Sequence, residues 1–294
     1  MRIRTKAYAK INLSLNVFNT ENGYHNLDSV VTTIDLYDEI IISKRKDDKI
    51  NVVMRGIGED VLTLTNNNAY KAALLFKETF NTKGMDIKIV KHIPLGGGLG
   101  GSSADVAGVL NALKKLYDVE EDVKPLADRL GSDSGYLLSG GFAKISGRGE
   151  IVEAISSNAK LWVVLAYCSE GVNTADCFKK YDEMPTENKP SDNEKLIAAI
   201  EKGDVLEISK QVGNDLARPA ELLCEEMAKN LKALKDLSPL CASVSGSGAT
   251  TFALFETKEL AQWAVDRLRR KGVDAELVST VIPEKENKRA SIFG

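Results

Sequence analysis

The stretch IPLGGGLGGSSAD, Ile93 to Asp105, places five glycines and two serines between an alternating apolar segment, MDIKIVKHI, and the helix-patterned SADVAGVLNALKKLY. Glycine loses more backbone freedom on folding than any other residue, so such a run needs a use for its bare backbone. Without Cβ atoms, backbone N–H groups can converge on one point. A helix starting directly after the loop adds its own unbonded N–H groups and the positive end of its dipole. Together these features describe a phosphate cradle, with Ser102 and Ser103 placed to cap the helix or to donate to a phosphate oxygen.

Two familiar phosphate loops fail against the flanks. The Walker loop requires Lys after its last glycine, and here Ser102 follows Gly101. The dinucleotide fingerprint is formally matched by Gly96, Gly98 and Gly101. It requires a strand ending in an acid after the helix, whereas Asp118 and Glu120 lie in a polar stretch.

Upstream, Ile3, Thr5, Ala7, Ala9, Ile11, Leu13, Leu15 and Val17 alternate with polar residues, the period of a strand with one buried face. Lys10 and Asn12, two apart, must share the other face. NTENGYHN (Asn19–Asn26) reads as a turn, and LDSVVTTIDLYDEIIIS and INVVM read as strands. KRKDDK (Lys44–Lys49) reads as a solvated hairpin tip. Ala69, Ala72, Ala73, Phe76 and Phe80 recur at helical spacing after an Asn-rich cap. VKPLADRLG reads as a short helix ended by Gly131, and SDSGYLLSGGFAKISGRGE as strand pieces broken by glycine turns.

Beyond Ser156–Lys160, LWVVLAY reads as a buried strand. Helices are expected near Thr174–Tyr181, Asn193–Glu201, Val205–Val212 and Pro219–Leu237, followed by a hairpin in ASVSGSGATTFALFE, a helix over Lys258–Lys271 and the strand DAELVSTVI. PEKENKR near the end reads as a solvated tail. The expectation is an α+β chain of two domains, residues 1–157 and 158–294.

The 294 residues carry a net charge of -3 with 43% hydrophobic residues, which excludes a general nucleic-acid binder or membrane-surface binder. No segment has the length of a membrane span, and MRIRTKAYAKINLSLNV lacks a continuous apolar core, so a cytoplasmic protein is expected. Cys168, Cys177, Cys224 and Cys241 form no Cys-x-x-Cys pair, and His25 and His92 lie far from them. Reduced thiols are expected, with no zinc site.

With Pro94 ahead of Gly98-Leu99-Gly100-Gly101-Ser102-Ser103-Ala104, the glycine stretch resembles the phosphate loop of the GHMP kinases. SVSGSGATTFALF, Ser243 to Phe255, resembles the later glycine motif of the same family. AKINLSLNV, then GYHNLDSVVTTIDLYDEI and NDLARPA (Asn214–Ala220), resemble the branch of that family whose substrate is a methylerythritol carrying a cytidine diphosphate. The resemblance implies the two-domain GHMP kinase fold with the active site in the cleft between domains. It implies an ATP- and Mg²⁺-dependent transfer to the 2-hydroxyl of that small molecule, in non-mevalonate isoprenoid synthesis. The family's catalytic lysine and aspartate match Lys10 and Asp133. Its ATP loop matches Pro94, Leu95, Gly96, Gly97, Gly98, Leu99, Gly100, Gly101, Ser102, Ser103 and Ala104. Its substrate contacts match Tyr24 and His25, with Thr174 and Phe178 at the expected four-residue spacing; Asn12, beside Lys10 on the same strand face, is a further candidate substrate contact.

The chain departs from the family pattern in two places. The serine pair sits one place nearer the N-terminus, and Ser134-Gly135 replaces the Val-Pro that usually follows the aspartate. No protein ligand set for the metal is marked in the sequence. Asn67, Asn68 and Lys91 stand as alternatives for an adenine pocket or for a cap and a strand end. A kinase for homoserine or a mevalonate-like alcohol, and a non-catalytic nucleotide or metabolite binder, are the competing readings.

Overall fold

The computed structural model describes residues 1–21, 23–57, 67–184 and 190–282. The first sheet begins with two long antiparallel strands, β1 (Arg2–Glu21) and β2 (Tyr24–Lys44), whose pairing runs on through Glu21 and Tyr24 into the stretch expected as a turn. β3 (Ile50–Gly56) does not return on β2. It pairs in parallel with β4 (Met85–Lys91), which lies between them. The charged Lys44–Lys49 run therefore links two strands that are not neighbours and is not a hairpin tip; it is held where Arg45 bonds Asp47 and Asp86. The parallel crossover from β3 to β4 passes through α1 (Asn68–Phe80), capped by Asn67.

α2 (Gly101–Tyr117) follows the glycine stretch directly. Its apolar residues Val106, Val109, Leu110 and Leu113 are buried, and so are Ala107 and Gly108. Burial of each large apolar side chain contributes roughly 1.5–3 kcal/mol. The sheet comes so close that a Cβ at Gly108 would lie 3.0 Å from Ala7 and Ile40.

The short helix α3 (Lys124–Asp128) stops before Gly131. Ser134–Leu137, expected as broken strand, is the helix α4, and only then come β5 (Phe142–Gly147) and β6 (Ile151–Ile155). Helix wins there because Tyr136 is fully buried with its hydroxyl donating to Gly141 O at 2.6 Å, a tertiary anchor that local pattern does not reveal.

β7 (Trp162–Ala166) opens the second sheet. Helices α5 (Thr174–Asp182), α6 (Asn193–Lys202) and α7 (Val205–Gln211) follow as expected. The two-residue strand β8 (Gly213–Asn214) then joins the first sheet alongside β1. The single helix expected over Pro219–Leu237 is two, α8 (Ala217–Leu223) and α9 (Glu225–Lys235), broken where extended Cys224 caps α9 through its sulfur. β9 (Cys241–Val244) and β10 (Thr251–Phe255) form the expected hairpin. α10 (Lys258–Arg270) and β11 (Ala275–Ser279) complete a sheet ordered β11-β7-β10-β9.

The two sheets share a core. Ile34 and Ile155 pack in one cluster with Val163, Leu165, Phe252, Leu254 and Val278. Asp35 accepts both the backbone N–H and the hydroxyl of Ser279 at 2.7 Å. The four cysteines are free; burial pushes the Cys241 thiol up to about 12 and Cys177 up to about 11. PEKENKR lies outside the described residues.

Candidate active site

The alternation of β1 is real, and its polar face is exposed at Arg4 and Lys6 but loses its solvent from Lys10 onward. Lys10, Asn12, Ser14 and Asn16 are all buried. The cover comes from far along the chain: Ser14 donates to Asn193 at 2.6 Å, and Asn16 bonds both backbone groups of Ser191. A buried ammonium needs partners. Lys10 Nζ donates to Asn12 Oδ1 at 2.6 Å and lies 3.4 Å from Asp133 Oδ2. Asn12 in turn donates to Ser29 Oγ at 2.8 Å, so the amide is fixed with its oxygen towards the lysine. Asp133 sits just before α4 and keeps about a quarter of its side chain exposed. A half-open carboxylate beside an immobilised ammonium can accept a proton from an alcohol while the cation steadies developing charge.

The glycine loop lies over this pair. The Lys10 backbone N–H donates to Leu99 O at 3.0 Å. Gly100 adopts φ +72 at the start of α2, and a Cβ there would meet the Lys10 stem at 3.1 Å. Gly100, not either serine, occupies the cap position; Ser102 and Ser103 fall in the first turn, where backbone N–H groups have no intrahelical acceptor. Ser102 Oγ accepts from Asn68 Nδ2 at 3.0 Å, and Pro94 and Leu95 lead in, with Leu95 exposed. Ala104 is buried beneath the turn.

The second glycine motif interlocks with the first. Thr250 N donates to Gly97 O at 3.1 Å and Ser245 Oγ donates to Gly98 O at 2.9 Å. Gly98 has φ +73, and a Cβ would collide with the Ser245 carbonyl. Gly98→Ala is therefore expected to part the two loops and raise the KM for ATP at least about 10-fold, with little change in far-ultraviolet circular dichroism. Asn214 holds the second turn by donating to Val244 O and Gly246 O, both at 2.8 Å.

Thr174 and Phe178 lie one turn apart on α5. Thr174 Oγ1 and Ser247 Oγ are 2.9 Å apart, tying α5 to the second glycine turn. Phe178 stacks on His25 with centroids 5.3 Å apart and planes at 16°, and it also packs against the Leu15–Val17 cluster. His25 Nε2 lies 3.0 Å from Asp182 and Nδ1 lies 2.8 Å from Phe18 O. Tyr24 is 58% exposed. The expected residues thus form one continuous path from Tyr24 and His25 through Phe178, Thr174 and the two glycine loops to Lys10 and Asp133.

Lys91 does not extend into solvent as a strand-end lysine would. Its ammonium is buried between Asp38 and Asp105, directly under the glycine loop. Asp38 Oδ1 also accepts from His92 N and Ile93 N, at 2.6 and 2.9 Å, pinning the loop's entry. Burial, reinforced by Asp38 and opposed by Lys91, pushes the Asp105 carboxyl up to about 7. Asn67 acts as a helix cap, donated to by Ala69 N and Tyr70 N. The sequence reading missed this triad, since nothing local separates Asp38 from an ordinary strand-edge acid.

Two family descriptions match the chain: GHMP kinases N terminal domain over residues 67–143 and GHMP kinases C terminal over residues 196–274. A 4-diphosphocytidyl-2-C-methyl-D-erythritol kinase from Geobacillus thermodenitrificans is 39% identical, covering 92% of this chain and 93% of its own. One from Clostridium beijerinckii is 35% identical, covering 95% and 100%. A crystal structure of 4-(cytidine 5'-diphospho)-2C-methyl-D-erythritol kinase superposes with TM-score 0.80 at 28% identity, covering 94% and 98%. A homoserine kinase from Cytophaga hutchinsonii shares the fold at TM-score 0.73 and 20% identity, covering 96% and 95%. Fold and interlocked glycine loops define a GHMP-type small-molecule kinase. Within that class, the chain belongs to the 4-diphosphocytidyl-2-C-methyl-D-erythritol kinase family.

Proposed function

We propose that this chain transfers the γ-phosphoryl group of ATP to the 2-hydroxyl of 4-diphosphocytidyl-2-C-methyl-D-erythritol. The observation that carries the reading is the buried Lys10–Asn12 pair facing the part-exposed Asp133 beneath two interlocked glycine loops. Family membership, with relatives of that name over nearly the whole chain, supports the substrate. Asp133 accepts the hydroxyl proton. Lys10, its position set by Asn12, orients that carboxylate and offsets negative charge as the oxygen attacks. The Gly96–Ser103 backbone binds the ATP phosphates through its N–H groups.

Hard oxygen donors at the loop are the hydroxyls of Ser102 and Ser103, which fit Mg²⁺ held mainly by phosphate oxygens and water. When bound, the ion neutralises charge on the phosphates. The same reading takes the chain as two domains, residues 1–157 and 158–294. It also takes the protein as cytoplasmic, consistent with there being no helix long and apolar enough to cross a membrane among the described residues.

Tyr24, His25, Thr174 and Phe178 bind the cytidine end. Aromatic stacking contributes about 1–3 kcal/mol per base. Tyr24→Ala is therefore expected to raise the KM for the cytidine substrate by about 5- to 150-fold while leaving the KM for ATP unchanged, as steady-state kinetics would read. The direct test of the function is Mg²⁺-ATP turnover of the purified protein with that substrate. Turnover of homoserine or a mevalonate-like alcohol in its place would refute the assignment.

A further inference from the structure

We infer that Arg148 is the residue that recognises the substrate's diphosphate. The inference rests on the cytidine-diphosphate reading above. Arg148 projects from the β5–β6 turn with its guanidinium 4.0 Å from the centroid of the Tyr24 ring. The turn is tightly built: Gly147 and Gly149 take φ +69 and +115, and the Arg148 backbone N–H donates to Glu150 Oε2 at 2.7 Å. Gly149 is buried against Ser132, where a Cβ would lie 3.0 Å from the Ser132 carbonyl oxygen. Ser132 is the residue before Asp133. On its other side the turn is fixed to the Tyr24 strand by the Leu27–Gly147 pairing of β2 with β5. One rigid turn therefore touches both the exposed aromatic at the mouth of the site and the loop that carries the reacting carboxylate.

In a nucleoside diphosphate ester of a small alcohol, the two phosphates lie between the base and the alcohol. If the base stacks near Tyr24 and the alcohol reaches Asp133, the phosphates pass the turn that joins them. Among the described residues the Arg148 guanidinium has no carboxylate within ion-pair distance, while the neighbouring acids are engaged. Glu150 accepts from the turn backbone, Asp28 faces Lys144 and Asp182 faces His25. A guanidinium lying on an aromatic face keeps its edge donors free for two phosphate oxygens at once, a geometry that an ammonium cannot reproduce.

The test uses Arg148→Met, which keeps a stem to cover Tyr24, beside Arg148→Lys. In steady state, Arg148→Met is expected to raise the KM for the cytidine-diphosphate substrate about 10-fold or more. The kcat should stay within about 2-fold and the KM for ATP should not move, and Arg148→Lys should recover only part of the loss. By calorimetry, with the ATP site filled by a non-hydrolysable analogue, wild-type protein should bind CDP more tightly than cytidine, and Arg148→Met should lose that preference while still binding cytidine. An unchanged CDP preference in Arg148→Met, with wild-type turnover intact, overturns the role of Arg148 alone. Wild-type protein that neither binds CDP nor turns over the substrate overturns the substrate reading, and this inference with it.

Discussion

Asp133→Asn is expected to lower kcat by about 10³-fold while ATP and the cytidine substrate still bind. Proton transfer by a positioned base contributes typically 10²- to 10⁴-fold, and the amide cannot accept the hydroxyl proton. Asn is close in shape to Asp, and the α4 turn is held independently: Leu137 N donates to the Asp133 carbonyl and Tyr136 is anchored on Gly141. Burial, with the Asp133 charge adding to it, holds the Tyr136 phenol neutral, so it is not a substitute base. Rapid-quench measurement of a single turnover separates this effect from product release. A variant retaining more than about a tenth of the wild-type rate would assign the base elsewhere. Lys10→Met should lose a comparable factor, and the double variant little more than either alone, because groups acting as one unit are not additive.

The largest stability effect is expected at Lys91. Lys91→Met leaves Asp38 and Asp105 facing one another without the buried ammonium, and removing one partner of such a set costs about 3–5 kcal/mol. Urea unfolding should show the unfolding free energy fall by that amount, read from a lower midpoint at unchanged slope. Adding Asp105→Asn to Lys91→Met should recover part of it, since Asp38 then faces an amide that cannot ionise. A fall below about 1 kcal/mol for Lys91→Met would mean that the triad is not coupled to folding.

The triad also sets a pH dependence. Asp105 keeps its proton in the folded protein up to about pH 7, whereas an unfolded aspartate releases it near 3.8. Between those values the folded state binds more protons than the unfolded one, so this group's contribution falls as pH rises from about 4 to about 7. Asp105→Asn should flatten that slope. A slope unchanged in the variant would place the titration on another group.

Period and punctuation carried much of this architecture. Two-residue alternation placed Lys10 and Asn12 on one strand face, because a pleated strand allows no other arrangement. The glycine run followed by an apolar helix marked the loop-to-helix junction at Gly101, a shape that suits an anion because bare backbone N–H groups converge there. Asn67 capping α1 and the β9–β10 hairpin were equally local. What the tertiary structure decided lies in contacts between distant segments. Residues 191 and 193 bury Ser14 and Asn16 on the polar face of β1, while the glycine loop and Asp133 turn Lys10 from an ordinary strand lysine into a fixed cation. The charged run after β2 leads to a non-neighbouring strand because β4 claims the β2 edge, a choice made by the sheet as a whole. α4 forms where the sequence shows glycine turns, because Tyr136 gains a buried anchor. Asp38, Lys91 and Asp105 come from a strand, another strand and a helix, and their meeting cannot be read from spacing. Sequence alone sets which backbone shapes are cheap. Which polar groups lose their water depends on what folds over them, and that desolvation is what turns lysines and aspartates into a site.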